Sequence, residues 1–199
     1  MRIVQFVFLV LLVSCGKAPT PVSRALRINI ETEPKTLDPR KARDLNDVTL
    51  CRMLYEGLMR ISRQGTPELA VAEAVEITED RLEYVFHLRD AQWSNGDPVT
   101  SYDFAESWKA ILNPEFPTDI AYQLYVIQNG KKVKAGGNES LGIYTPDAHT
   151  LIVRLEQPTP YFLEVCAMSC SVAGSSEPTL IWIVSLNASL KFSSVSIKR

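Results

Sequence analysis

Leu82, Tyr84, Phe86 and Leu88 fall on every second position, with Glu83, Val85, His87 and Arg89 between them. That period of two sends one set to one side of a pleated strand and the other set to the opposite side. A strand with one apolar face is not stable alone in water, so the chain has to supply strands beside it and a cover above it. One neighbour comes first in sequence: residues 74–77 are joined to Leu82 through the polar Glu79-Asp80-Arg81, which reads as a hairpin turn. Leu151, Val153 and Leu155, set among the polar Thr150, Arg154 and Glu156, predict a further strand. His87 lies on the polar side and reads as a solvated strand histidine.

The cover is written between Trp93 and Trp108, in WSNGDPVTSYDFAESW. Asn95-Gly96 marks a tight turn, because both residues tolerate positive φ. Thr100 and Asp103 have the spacing of a capping box, with Asp in place of the usual Glu. Phe104, Trp108, Ile111 and Leu112 then repeat at helical spacing and define one buried face, and Asn113-Pro114 ends the helix. A second short helix is expected from Thr118, with Ile120, Leu124 and Ile127 on one side and Asn129-Gly130 as its end. Upstream, Leu26, Ile28 and Ile30 predict a half-buried strand, and the two prolines of ETEPKTLDPR predict a loop. Asp47 is placed to cap a helix over residues 48–55, closed by Gly57. The mixture makes this an α/β chain of the mixed α+β kind.

The N-terminus reads as an export signal over residues 1–14. After Met1-Arg2, residues 3–13 are apolar except for Gln5. The run is shorter than the ~20 residues that span a bilayer, and it fits the apolar core of a signal peptide. It ends in Leu12-Val13-Ser14-Cys15, which resembles the bacterial lipobox, in which Cys15 is acylated and becomes the new N-terminus. Acyl chains would then replace the apolar segment as anchor, at about 0.8 kcal/mol per buried CH₂. A signal that merely ends near a cysteine is the alternative. Residues 15–25 read as the tether between lipid and fold.

The remaining chemistry is sparse. Cys51, beside Val48, Met53 and Leu54, reads as a small buried apolar group. Cys166 and Cys170 form a lone C-x₃-C, far in sequence from His87 and His149, so a zinc site has little support and a disulfide stays open. The net charge is −2, and the short group Lys131, Lys132 and Lys134 reads as a solvated loop, so nothing points to nucleic acid. G-x-S-x-G, H-E-x-x-H, the P-loop and the Gly-rich dinucleotide turn are all absent from the sequence. Neither a catalytic residue, a metal nor a cofactor is expected, and an enzyme is the weakest reading.

FHLRDAQWSNGDPVTSYDFAESW resembles the signature region of the extracellular solute-binding proteins of bacterial ABC importers, in the family that takes oligopeptides and dipeptides. EPKTLDP, YEGLMR and DAHTLIVRLEQPTPYF resemble further landmarks of that family in the same order, so the resemblance runs from Leu26 to Glu164. It implies the N-terminal part of a periplasmic-binding-protein type II fold, in which two lobes close over a peptide and a small domain is inserted into lobe one. On that mapping residues 26–57 open lobe one, 58–157 are the β-rich insert, 158–165 return to lobe one, and 166–199 form a divergent tail. Trp93, Asn95, Gly96, Asp103 and Trp108 become structural residues of the insert. Arg43, Asp44 and Leu45 become the ligand contacts.

The same resemblance implies peptides and importer permease subunits as partners, with the protein held by Cys15 on the membrane, facing the periplasm or the cell exterior. The second lobe has no counterpart in the sequence. After Val165 charge thins out, serines become frequent, and the apolar run TLIWIVSL appears. A frameshifted tail and a genuine short protein are the two readings of that change. Weak or absent peptide binding is expected in either case. A small membrane-anchored docking lipoprotein without a transport ligand is the alternative function.

Overall fold

Four antiparallel strands form the central sheet of the computed structural model, which describes residues 32–168. They are β3 (Ala72–Ile77), β4 (Glu83–Leu88), β5 (Ile143–Asp147) and β6 (Thr150–Arg154), in the order β3-β4-β6-β5. Phe86 stands between Val75 on one side and Leu151 on the other, and Val153 pairs with Ile143 beyond it. The alternation of β4 therefore becomes one buried face: Tyr84, Phe86 and Leu88 are all buried, and so are Leu151, Val153 and Leu155. His87 is on the other face, 3.0 Å from the Glu76 carboxylate across the strand pair.

Helix α2 (Ser101–Leu112) covers the β5–β6 side of the sheet. Phe104, Trp108, Ile111 and Leu112 are completely buried, as their spacing requires. Its capping box is formed, with the Thr100 backbone N–H donating to Asp103 Oδ2 at 2.7 Å. The turn before it differs from expectation in one respect. Gly96 has φ 93°, but Asn95 keeps an ordinary negative φ and instead accepts the Asp97 N–H on its own side-chain oxygen at 3.0 Å. Trp93 N–H donates to the Asp97 carbonyl across the turn at 2.8 Å, and its indole is buried.

Helix α1 (Leu45–Leu54) begins three residues earlier than expected, with Asp44 and not Asp47 at its N-cap. Asp47 is inside the first turn and buried, where its carboxylate accepts the Lys35 backbone N–H at 3.0 Å. The side chain that the sequence offered as a cap is used to pin the preceding loop. The helix ends at Tyr55, and Cys51 is fully buried as expected.

The expected helix from Thr118 is a 3₁₀ turn (Ala121–Leu124), and a short α3 (Gly130–Lys134) starts where an end was expected. Ile120, Leu124 and Ile127 are buried together all the same. The reason is local: Asn129 sits at φ 62°, a left-handed position that Asn tolerates and that redirects the chain. Lys134 is not the solvated lysine that charge spacing implied. Its ammonium donates to the carbonyls of Ile111, Asn113 and Phe116 at 3.1, 2.8 and 2.8 Å, and so caps the end of α2.

Besides β5, three elements were not anticipated. Strands β1 (Met59–Ile61) and β2 (Pro67–Leu69) pair as a small separate hairpin, and α4 (Phe162–Cys166) comes after the last strand. Phe162 is fully buried, its ring edge-on to Tyr84 at 4.8 Å and 6.4 Å from Phe86. One continuous apolar core thus begins at Leu58 and extends through Cys166. Among the described residues no helix is long and apolar enough to cross a membrane, and no cluster of potential metal ligands is found. Cys15, the strand at Leu26–Ile30, Cys170 and the TLIWIVSL run lie outside the described residues.

Candidate ligand-contacting rim

Arg43, Asp44 and Leu45 sit together where a tight loop enters α1. The loop is built by Asp38, whose carboxylate accepts the Arg40 backbone N–H at 3.0 Å and grips its guanidinium through Nε at 2.9 Å and Nη2 at 3.0 Å. The Asp38 carbonyl accepts the N–H groups of Lys41 and Ala42, and Ala42 is buried beneath the turn. The three residues after Ala42 are exposed. Leu45 is 82% exposed, an unusual place for a leucine in the first turn of a helix.

The two charged rim residues are exposed and each has a protein partner. Arg43 Nη1 donates to Asp119 Oδ2 at 2.9 Å. Asp44 pairs with the Lys35 ammonium at 2.6 Å, and that hydrogen bond lowers the carboxyl pKa of Asp44 and raises that of Lys35. Exposed pairs of this kind exchange readily with water or a ligand, because each contributes little on its own. The rim therefore offers a donor, an acceptor and an apolar side chain in three successive residues.

Residues to which sequence reasoning gave no part in the site stand behind the rim. The Phe116 ring lies beneath two cations, with the Arg40 guanidinium carbon 5.2 Å and the Lys41 ammonium 5.1 Å from its centroid. The Thr118 hydroxyl donates to the Arg40 carbonyl at 2.7 Å. No local signal marks these contacts, since the partners are separated by more than seventy residues. By contrast Trp93, Asn95, Gly96, Asp103 and Trp108 are used in the turn, the cap and the core, and lie away from the hydrogen bonds and ion pairs of the rim.

At the other end of α1 a cavity of about 370 Å³ opens between Cys51, Arg52 and Tyr55, the strand residues Met59 and Ile61, and Met168. Burial pushes the Cys51 thiol up to about 12, so this cysteine in its wall is held as an inert thiol.

Comparison with known proteins gives the arrangement its context. The family model for the bacterial extracellular solute-binding proteins, family 5 (middle region), matches residues 66–193, and so continues past Val165, where the resemblance read from the sequence stops. The oligopeptide-binding protein OppA of Bacillus subtilis (strain 168) is 39% identical over 155 residues, 76% of this chain and 28% of that protein. The dipeptide-binding protein DppE of the same organism is 36% identical over 157 residues, again 76% of this chain and 28% of that protein. Among solved structures, the substrate-binding domain of an oligopeptide ABC transporter from Bacillus anthracis str. Ames superimposes with a TM-score of 0.70 at 35% identity, covering 72% of this chain and 28% of that one. Listeria monocytogenes OppA bound to peptide gives 0.68 at 34% identity, with 69% and 28% covered. The chain thus spans about 28% of the length of the relatives it matches. With the family model matching more than half of its residues, and with the fold shared, the chain belongs to family 5 of the bacterial extracellular solute-binding proteins, of periplasmic-binding-protein type II fold.

Proposed function

We propose that this chain serves as the extracytoplasmic peptide-binding part of an ABC importer, anchored to the membrane through an acylated Cys15, with Arg43, Asp44 and Leu45 as its peptide-contacting rim. The observation that carries the reading is the rim itself: a guanidinium, a carboxylate and an exposed leucine on a loop braced from behind. A peptide presents an ammonium, a carboxylate and a main chain of alternating donors and acceptors. Groups of that kind meet it without reading its side chains, which is how one site accepts many sequences. Relatives named for oligopeptide and dipeptide binding support the same ligand class.

The three-residue rim by itself would form one wall of such a site. A ligand on one wall stays open to water, so little surface is buried to offset the lost freedom of the peptide. Weak binding is therefore expected of peptide held by this rim alone, and calorimetry giving a micromolar peptide affinity for the purified protein would contradict that. The importer reading is tested in cells. Wild-type protein is expected in the membrane fraction together with importer permease subunits, and Cys15→Ser protein is expected to leave that fraction. Membrane retention of Cys15→Ser would remove the lipid anchor from the proposal, and purification of the wild type with no permease subunit would remove the importer.

A further inference from the structure

We infer that Phe116, Thr118 and Asp119, which lie on the loop after α2, are positioning residues that set the geometry of the Arg43–Leu45 rim; the inference rests on the reading of that rim as a ligand contact. The rim has no strand to hold it. Its own loop is closed by Asp38, but that turn ends at Ala42 and leaves the next three residues facing solvent. Asp44 and Leu45 take their direction from the start of α1 and from the Lys35 pair, while the loop that leads into them, Arg40 to Arg43, is held by residues more than seventy positions later in the chain.

Contacts of three kinds converge on the loop from Arg40 to Arg43. Phe116 presents its ring to Arg40 and Lys41 at 5.2 and 5.1 Å. Thr118 Oγ1 donates to the Arg40 carbonyl at 2.7 Å in a partly buried setting. Asp119 accepts from Arg43 at 2.9 Å in an exposed one. The ion pair is screened by salt and contributes least. The ring and the hydroxyl act on the side chains and backbone of Arg40 and Lys41, so they hold the loop at the point where it enters the rim.

The bracing loop is itself fixed. Phe116 donates its N–H to the Asn113 carbonyl at 3.1 Å and gives its own carbonyl to the Lys134 ammonium at 2.8 Å. Lys134 also grips Ile111 and Asn113, so a continuous set of contacts runs from the buried end of α2 to the exposed rim. Such a path makes the rim a rigid feature of the fold and not a floating loop. A site that meets peptides through few groups gains most from having those groups held in place before the ligand arrives.

Trypsin reads the loop directly, because Arg40, Lys41 and Arg43 are all cleavage points. In the full chain, Phe116→Ala and the double variant Phe116→Ala/Thr118→Val are expected to be cut at these residues about fivefold faster or more, the change that a modest local opening produces. Phe116→Tyr keeps an aromatic face for the cations and is expected to be cut at the wild-type rate. Urea midpoints for all variants are expected to stay near wild type, since the residues lie outside the core. Cleavage of Phe116→Ala at the wild-type rate, or of Phe116→Tyr as fast as Phe116→Ala, would overturn the positioning role.

A second readout separates this inference from the function it rests on. Trialanine at millimolar concentration is expected to shift the amide resonances of residues 43–45 in the wild type, and to shift them less in the double variant. If the variants loosen the loop but trialanine moves no rim amide even in the wild type, the positioning stands and the peptide-contact reading of the rim falls.

Discussion

The sulfur of Cys51 lies 3.7 Å from the Leu37 carbonyl, fully out of reach of solvent, where the charges of Asp47 and Asp38 are felt. Burial, and then those two carboxylates, push its pKa up to about 12, against about 8.5 for a free thiol. The sign of the consequence is fixed by linkage. Between those two values the unfolded chain has lost the proton and the folded chain keeps it, so folding loses stability as pH rises from about 8.5 toward 12. Iodoacetamide at pH ~8 is expected to leave Cys51 unmodified in the native protein and to label it in urea, as peptide mapping would show. Labelling of native Cys51 at the rate of an unfolded thiol would mean that the cavity beside it admits solvent to the sulfur. At this scale the sequence is readable where a residue's role is set by its immediate neighbours. Cys51 among apolar residues is expected to be buried, and it is. Asp47 is different: its partner, the Lys35 N–H, lies twelve positions earlier, and no helical spacing reports it.

Among the elements, α2 is fully written in the sequence at its start and only half written at its end. Thr100 and Asp103 are three apart, and the box between them closes as their spacing requires. Asn113-Pro114 states that the helix stops but not what receives its last carbonyls. Lys134 does, across a distance of more than twenty residues. Lys134→Met keeps the stem and removes the ammonium, leaving the Ile111, Asn113 and Phe116 carbonyls without that donor. The expected cost is ~1–2 kcal/mol, read as a lower urea midpoint with unchanged slope. A midpoint equal to wild type would show that water replaces the ammonium without loss. Strand β5 escapes sequence reading for a different reason. Its five residues include Pro146 and an irregular register between Tyr144 and Asp147, as suits an edge strand, and neither a clean period of two nor a high strand propensity survives in so short a piece.

Across the whole molecule the closing of the core is the feature that no local pattern predicts. The face of β4 that alternation marks as apolar is closed on one side by Phe162, from a short helix that the sequence does not announce. Phe162→Ala in the full chain removes a fully buried ring from beside Tyr84 and Phe86, at an expected cost of ~3–5 kcal/mol. That is enough to lower the urea midpoint strongly and to expose Tyr84 to quenchers. A loss below ~1 kcal/mol would show that the return segment is only loosely docked. The rim belongs to this scale too. Arg43, Asp44 and Leu45 are named by resemblance alone, and their exposure and ion pairs are properties of the assembled fold.

Periodicity and capping chemistry, which act within about a dozen residues, settle that β4 and β6 are strands with one apolar face, that Gly96 turns the chain, and that α2 starts at Thr100 and buries Phe104 and Trp108. Those outcomes follow from backbone geometry that every chain shares. Tertiary structure alone decided that Phe162 completes the core, that Lys134 closes α2, and that Phe116, Thr118 and Asp119 brace the loop of Arg43. Each of these joins residues far apart in sequence through a ring, an ammonium or a hydroxyl whose partner is chosen only when the chain has folded, and spacing along the chain carries no record of that choice.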